Sequence, residues 1–350
     1  MRFIHIADIH LGAEPERDKP WAKNRGRELW DTFERLIMRV REEKPDLLFI
    51  AGDLFHRQPL LRELKEVNYL FSQIPDTKIL LIAGNHDYIK KDSYYRTFEW
   101  SENVIFLKSR EPESVYIARL NTEVYGFSYY ERDIEEALYD NILPTDSGHI
   151  NILLAHGGDE KHIPIRAGRL ALNGFDYIAL GHIHKSMGGG NGIRYSGALE
   201  PLDINDMGEH GYIYGEVDKK GCRTTFVPFA SRSYIQLEIN VNPEMTFQEI
   251  KARITGAIAE KGSENIYRIL LTGLRDEAMI IPEERICELG NIGRIEDRTV
   301  PDYQYDRLIK ENGDNLLSRY IKYFVEDGRD LSELEKKALD YGVRALMFGE

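Results

Sequence analysis

Apolar residues run along the first half of the chain in short continuous blocks, each followed by a polar loop or by a segment with a period near 3.6. Blocks at 2–7, 46–51, 78–83, 149–155 and 176–181 read as strands, because a short uninterrupted apolar run fits a strand covered on both faces. Between the first two blocks, Leu29, Trp30, Phe33, Leu36, Ile37 and Val40 share one helical face; between the next two, Leu61, Leu64, Val67, Phe71 and Ile74 do the same. Strands alternating with amphipathic helices predict an α/β protein whose central sheet is covered on both faces.

From about residue 190 the texture changes to short β runs at 193–196, 211–217, 223–229 and 234–241. These are expected to form a second sheet packed on the first. After Asn242-Pro243 a new unit begins, with Thr246 and Glu249 spaced as a capping box ahead of Phe247, Ile250, Ile254 and Ile258. A strand at 265–273, a short helix at 282–290 and a strand at 294–300 give that unit an α+β texture. Residues 302–349 predict helices, with apolar stripes at Leu316, Leu317, Tyr320, Ile321 and Phe324 and at Leu331, Leu334 and Ala338. The expected division is therefore 1–242, 243–301 and 302–350. The glycine-rich tract 188–192 reads as a hairpin or flexible loop, not a phosphate cradle, since no helix pattern follows it.

Composition narrows the classes. Only Cys222 and Cys287 are present, too few for a disulfide framework or a thiolate metal site, and a reducing cytoplasm is the expected setting. The chain runs directly into Phe3-Ile4-His5-Ile6-Ala7 with no signal-peptide pattern, and no apolar stretch is long enough to span a bilayer, so no membrane role is expected. A net charge of −13 disfavours non-specific binding to nucleic acid. Any contact with DNA must rest on local basic patches.

Polar residues gather where the apolar blocks end. The first ends in "ADIH" with Asp8 and His10, the second in "AGDLFH" with Asp53 and His56, and the third in "AGNHD" with Asn85, His86 and Asp87. "INILLAHGG" delivers His156, and "IALGHIH" delivers His182 and His184. Six of the ten histidines in the chain lie in these places, at the carboxyl ends of strands where open α/β sheets carry their sites. Asp8, His10, Asp53, Asn85, His156, His182 and His184 are more oxygen and nitrogen ligands than one divalent ion takes from protein alone. A set without thiolate suits Mn, Fe or Zn. A carboxylate shared between two ions matches the arrangement used for phosphoryl displacement, so the residues point to a two-metal phosphoesterase.

The series D-x-H, G-D, G-N-H-D, H and G-H-x-H resembles the calcineurin-like metallophosphoesterase superfamily over residues 8–184. The resemblance implies two packed mixed β-sheets flanked by helices, with Asp53 bridging two divalent ions. Asp8, His10 and His184 would complete one ion's set, and Asn85, His156 and His182 the other's. His86 would protonate the leaving oxygen, oriented by Asp87. His56, in "GDLFH" together with "HIADIHLG", resembles the SbcD-type DNA repair exonucleases, in which such a histidine helps position the phosphate or the nucleophile. The unit from 243 is similar to the capping domain of those nucleases. The helical tail is similar to the region by which they grip an SbcC-type ATPase.

The expected function is thus a DNA phosphodiesterase using a metal-activated hydroxide, with Mn as the favoured ion (Fe, Zn and Mg as alternatives) and with DNA and an SbcC-type ATPase as partners. A homodimer is compatible with this reading. A small phosphodiester or cyclic-nucleotide phosphodiesterase, or a weakly active scaffold subunit of an ATPase complex, stands as the alternative. Two patches are candidate DNA contacts: Arg17, Lys19, Lys23, Arg25 and Arg27 around Trp21, and Arg166 with Arg169. His5, His149, His162 and His210, which have no motif partner, read as structural or surface residues.

Overall fold

In the computed structural model, which describes residues 1–188, 192–325 and 328–348, the apolar blocks become the strands of two sheets. The chain divides into two compact units, Met1–Ile235 and a second that begins at Gln236. The first unit runs β1 (Arg2–Ile6), α1 (Arg25–Glu43), β2 (Leu47–Ala51), α2 (Leu61–Ser72), β3 (Lys78–Ile82), β4 (Val104–Phe106), β5 (Glu113–Ile117), β6 (Thr122–Gly126), β7 (Ile150–His156), α3 (Ala167–Leu170), β8 (Tyr177–Gly181), β9 (Met187–Gly188), β10 (Ile193–Tyr195), β11 (Gly211–Asp218) and β12 (Gly221–Pro228). One sheet has the order β12-β11-β1-β2-β3-β4, the other β5-β6-β7-β8-β10-β9. Strands β1 to β4 are mutually parallel, as are β6, β7, β8 and β10, while β11, β12, β5 and β9 pair antiparallel to their neighbours. Both sheets are mixed.

The period-two alternation of strand side chains explains why these blocks are apolar throughout. In β1, Ile4 and Ile6 face the cluster that holds Phe33, Leu36, Ile37 and Val40 of α1 and Leu64, Val67 and Phe71 of α2. Phe3, on the opposite face, enters the layer between the sheets with Phe49, Leu80, Ile152, Leu154 and Tyr177. In β7, Leu153 and Ala155 turn to the outer face of the second sheet, against Phe127, Tyr139 and Ile178. Each central strand is therefore buried on both sides, and a one-residue slip would exchange its two core faces.

The second unit contains β13 (Tyr234–Val241) from its third residue onward, α4 (Phe247–Lys261), β14 (Ile266–Asp276), α5 (Glu283–Cys287), β15 (Ile292–Asp297), β16 (Val300–Asp302), α6 (Tyr305–Asn312), α7 (Leu316–Val325) and α8 (Glu333–Phe348). Its sheet has the order β13-β14-β15, with β16 paired to β14. The capping box forms as the spacing predicts: the Glu249 amide N–H donates to Thr246 Oγ1 at 3.3 Å, and the Thr246 N–H donates to Glu249 Oε2 at 2.7 Å. Helices α6 to α8 enclose their own small core of Tyr303, Leu308, Leu317, Ile321, Leu339 and Val343.

Two expectations need correction. The β runs after residue 190 do not make a sheet of their own: 193–195 joins the second sheet, 211–228 extends the first, and 234–241 pairs with β14. Apolar alternation specifies that a strand is half buried, not which edge it extends. Strands β4, β5 and β6 were not expected. β4 is three residues long, and β5 is an edge strand whose ESVYI alternates between half-buried and exposed positions. Of the glycine tract, residues 189–191 lie outside those described.

Candidate metal centre

The parallel strands of both sheets deliver their carboxyl ends to one place. At three of these ends the backbone leaves the β region at once: Asp8, His10, Asp53 and His182 have φ of +52°, +51°, +49° and +95°. A left-handed conformation costs a non-glycine residue about 1–2 kcal/mol. Neighbouring hydrogen bonds hold it in place, with Asp8 N–H donating to Gly52 O (3.2 Å) and His10 N–H to Asp53 O (3.0 Å). Gly84 stands where no side chain fits, since a Cβ would collide with Asp53 Oδ1 and lie 2.8 Å from His156 Nε2. The glycine of "AGNHD" is thus set by close approach.

The sheets are joined across this point. The His182 N–H donates to both oxygens of Asp8, at 3.0 and 2.9 Å. His156 Nδ1 donates to the Ala51 carbonyl at 2.8 Å, which leaves Nε2 facing Asn85 Oδ1 (2.9 Å) and Asp53 Oδ2 (3.4 Å). His182 Nδ1 is 3.1 Å from the same Asn85 oxygen. On the other side, His10 Nε2 is 3.1 Å from His184 Nε2 and 3.8 Å from Asp53 Oδ2. Asp8, His10 and His184 can bring their ligand atoms within 4.8 Å of one another, and so can Asp8, Asp53 and His156. All seven predicted ligands meet here, with Asp53 between the two sets.

The electrostatics fit a cationic occupant. Asp8 and Asp53 are buried, and unpaired buried carboxylates are costly. Burial pushes Asp8 up to about 6, against the pull of His156 and His184. Burial would also raise Asp53, but the charge and hydrogen bond of His156 hold it well below the usual carboxylate range. Burial drives His10 well below the ordinary imidazole value. His182 falls to about 4, through burial and the charge of His156. His156 and His184 resist burial and sit at about 9, raised chiefly by Asp53 and by Asp206 respectively. Imidazole nitrogens facing each other at 3.1 Å, beside two buried acids, form a set of lone pairs that a divalent ion satisfies.

Residues 1–186 match the family model of the calcineurin-like phosphoesterases. The chain belongs to that family. Like the family, it is a metallophosphoesterase, whose chemistry uses divalent metals. Among curated relatives it is 25% identical to the uncharacterized metallophosphoesterase YhaO of Bacillus subtilis, over 80% of this chain and 74% of that one. It is 25% identical to the DNA double-strand break repair protein Mre11 of Methanocaldococcus jannaschii, over 91% of this chain and 94% of that one. It is also 25% identical to a subunit of the nuclease SbcCD of Staphylococcus epidermidis, over 97% of each.

Around this calcineurin-like centre, His56 and His86 stand beside the ligands. Their rings stack at 4.9 Å between centroids, and that of His86 meets His10 edge-on at 4.8 Å. His86 Nδ1 donates to the His56 carbonyl at 3.0 Å. The hydrogen bond to His86 expected of Asp87 is made by this carbonyl instead. Asp87 is occupied otherwise, accepting from Gly84 N–H (2.8 Å), Phe55 N–H (3.2 Å) and the Tyr95 hydroxyl (2.8 Å). It ties the turn after β3 to the turn after β2, and burial together with the nearby Asp53 charge pushes its carboxyl up to about 7.

Three residues that sequence reasoning missed line the centre. Asp159 Oδ2 accepts from His182 Nε2 at 2.7 Å, and Asp206 Oδ2 accepts from His184 Nδ1 at 3.0 Å. His162, expected to be structural or superficial, bonds Asp159 through Nδ1 at 2.9 Å. Asp159 directly follows "AHGG", a position its neighbours made visible; Asp206 lies 22 residues beyond its histidine and carried no signal. The remaining unmatched histidines are structural: His5 meets the Tyr177 hydroxyl, His149 meets Glu123, and His210 meets two backbone carbonyls.

A groove of about 1020 Å³ between α1 and α2 begins at Gly12 and Arg57, close to the centre in sequence, and is lined by Trp30 and Tyr69. Its cations Arg17, Lys23, Arg27, Arg57 and Arg62 are matched by Glu14, Asp31, Glu34, Glu63 and Glu66. Arg25 does not belong to a DNA-binding patch: it is 1% exposed, bonded to Glu28 Oε2 at 2.7 Å and to the Pro201 carbonyl at 2.5 Å. Arg166 and Arg169 both approach Asp140, at 3.4 and 4.0 Å.

Proposed function

We infer that the chain hydrolyses DNA phosphodiester bonds as an SbcD-like exonuclease, with Mn the favoured ion. The observation that carries this reading is the His56–His86 pair, stacked at 4.9 Å beside the buried ligand set. It agrees with the nuclease and repair names borne by the relatives from Staphylococcus epidermidis and Methanocaldococcus jannaschii.

In this reading Asp8, His10, His184 and Asp53 would hold one ion, and Asp53, Asn85, His156 and His182 would hold the other. When bound, the ions supply Lewis acidity toward a phosphodiester oxygen and toward the attacking water. The chain's own residues do the rest. With Nδ1–H committed to the His56 carbonyl, the imidazolium form of His86 carries its second proton on Nε2; that proton goes to the departing sugar oxygen and leaves the neutral ring. His56 is exposed at the mouth of the centre and positions the scissile phosphate. Asp87 acts through the backbone, holding the turns that carry Asp53 and His86 at a fixed separation.

DNA affinity has to come from more than this chain's groove, whose charges balance. An SbcC-type ATPase bound to the C-terminal helices would supply basic surface. Leu316, Tyr323, Leu334 and Tyr341 are 68–81% exposed on α7 and α8, available to a partner once the inner face is used in the helices' own core.

The test is Mn-loaded protein offered labelled single- and double-stranded DNA, a cyclic nucleotide and a phosphopeptide. Degradation of DNA from its ends is the expected result. Turnover of the cyclic nucleotide alone would return the site to a small phosphodiester hydrolase, the alternative that the acidic net charge favours.

A further inference from the structure

Behind each histidine of the G-H-I-H turn stands a separate carboxylate. His182 directs Nδ1 to Asn85 Oδ1 (3.1 Å) and Nε2 to Asp159 Oδ2 (2.7 Å). His184 does the reverse, with Nε2 toward His10 Nε2 (3.1 Å) and Nδ1 to Asp206 Oδ2 (3.0 Å). Each ring has one nitrogen in the ligand set and the other on an acid.

We propose that Asp159 and Asp206 are positioning residues that fix the tautomer and orientation of His182 and His184, and thereby set the affinity of the centre for a divalent cation. The inference rests on the reading of the strand ends as a metal centre. A neutral imidazole carries one N–H and one lone pair. A carboxylate that takes the N–H forces the lone pair onto the opposite nitrogen, which is Nδ1 in His182 and Nε2 in His184. The negative charge behind the ring also makes that lone pair a stronger donor.

Both acids are held in place themselves. Asp206 Oδ2 accepts from the Leu202 N–H at 2.9 Å. Asp159 Oδ1 accepts from the N–H groups of Lys161 and His162, at 2.8 and 2.9 Å, and His162 Nδ1 also faces it. The His162 ring continues to Asp133, with Nε2 3.5 Å from Oδ1. Asp159, His162 and His182 also group closely enough to suggest an ion of their own. Such an ion would need His182 to ligate through both nitrogens, so the hydrogen-bonded arrangement is the better account. The two acids differ in solvent access: the side chain of Asp206 is 13% exposed and that of Asp159 48%. Water competes more with the outer bond, so Asp206 contributes more.

The experiment titrates Mn²⁺ into metal-free full-length wild type, Asp206→Ala, Asp206→Asn, Asp159→Ala and Asp159→Asn. Bound metal is read calorimetrically, beside the melting temperature of each metal-free protein. Asp206→Ala is expected to bind about 10- to 100-fold more weakly, and Asp159→Ala is expected to lose less. The Asn variants keep an acceptor oxygen without the charge and should fall between; they carry the test if either Ala variant fails to fold. Wild-type affinity in folded Ala or Asn variants at both positions would overturn the proposal. A wild-type protein that takes up no Mn²⁺ would overturn the metal-centre reading on which it rests.

Discussion

The strand ends of the first unit and the helices that close the second are both written in apolar sequence, but burial has a different consequence in each. At the strand ends, burial is imposed on groups that resist it: Asp8, His10, Asp53, Asn85 and His156 are at most 2% exposed. Side chains of that kind survive inside a protein only when their charges and lone pairs are satisfied, so their presence there is itself information about an occupant. Among the described residues of α6 to α8 the buried side chains are Leu308, Leu317, Ile321, Leu339 and Val343, which any apolar surroundings satisfy, and Ser318, whose hydroxyl donates to the Ile309 carbonyl of the neighbouring helix at 3.3 Å. An apolar stripe says that something covers it, and in this case the helices cover one another. Polar burial specifies chemistry; apolar burial specifies only contact.

The largest effects should come from breaking the polar side of that comparison. Asp53→Asn removes the charge from the residue between both ligand sets, and an amide does not bridge two cations as a carboxylate does. Its loss of hydrolysis should exceed the roughly 10- to 100-fold typical of removing an outer hydrogen-bond partner, and its metal content should fall with it. A variant that retains a full complement of metal by elemental analysis would remove Asp53 from the bridging position. His86→Ala should keep the metal yet lose about 10²–10⁴-fold in turnover of DNA, the range for general acid catalysis. A nitrophenyl phosphodiester, whose leaving group needs no proton, should suffer much less. Equal losses on both substrates would deny His86 the acid role.

Smaller effects are expected where burial is apolar or where charge is exposed. Removing residues 303–350 takes away the helices together with their own core, so metal-dependent hydrolysis of the small ester should persist, and stimulation of DNA cleavage by ATP and an SbcC-type partner should vanish. Loss of ester hydrolysis in the soluble truncated protein would mean that the helices serve the catalytic unit directly. The double change Lys23→Ala and Arg27→Ala, on the charge-balanced groove, should flatten the salt dependence of DNA binding by well under the roughly 0.9 per charge that a phosphate contact carries. A flattening by that full amount would show that the groove is a principal DNA path. Arg25 is left out of this pair because its guanidinium is buried against Glu28 and Pro201, so its removal would report on folding.

The same distinction explains what the sequence made legible. "ADIH", "GDLFH", "GNHD" and "GHIH" were readable because each sets incompatible residues at the end of an apolar run, and the seven residues proposed as ligands lie together at the strand ends. The role of Asp87 was not readable, since its neighbour in sequence, His86, turns to a backbone carbonyl while Asp87 turns to Gly84, Phe55 and Tyr95. Asp206 stayed hidden because the loop that returns it to His184 leaves no periodic trace. Strand β4 was lost to brevity, β5 to half-exposed alternation and β6 to the buried polar pair Thr122 and Glu123 that opens it, and the place of 234–241 beside β14 was hidden because pairing partners are not encoded in a strand's own pattern.

The central claim is that two divalent ions share Asp53 at the joined strand ends. Crystals equilibrated with Mn²⁺ and measured at the manganese absorption edge test it most directly. The account predicts about two anomalous peaks per chain, flanking Asp53, one among Asp8, His10 and His184 and the other among Asn85, His156 and His182. A single peak, or peaks that leave either set empty, would contradict it.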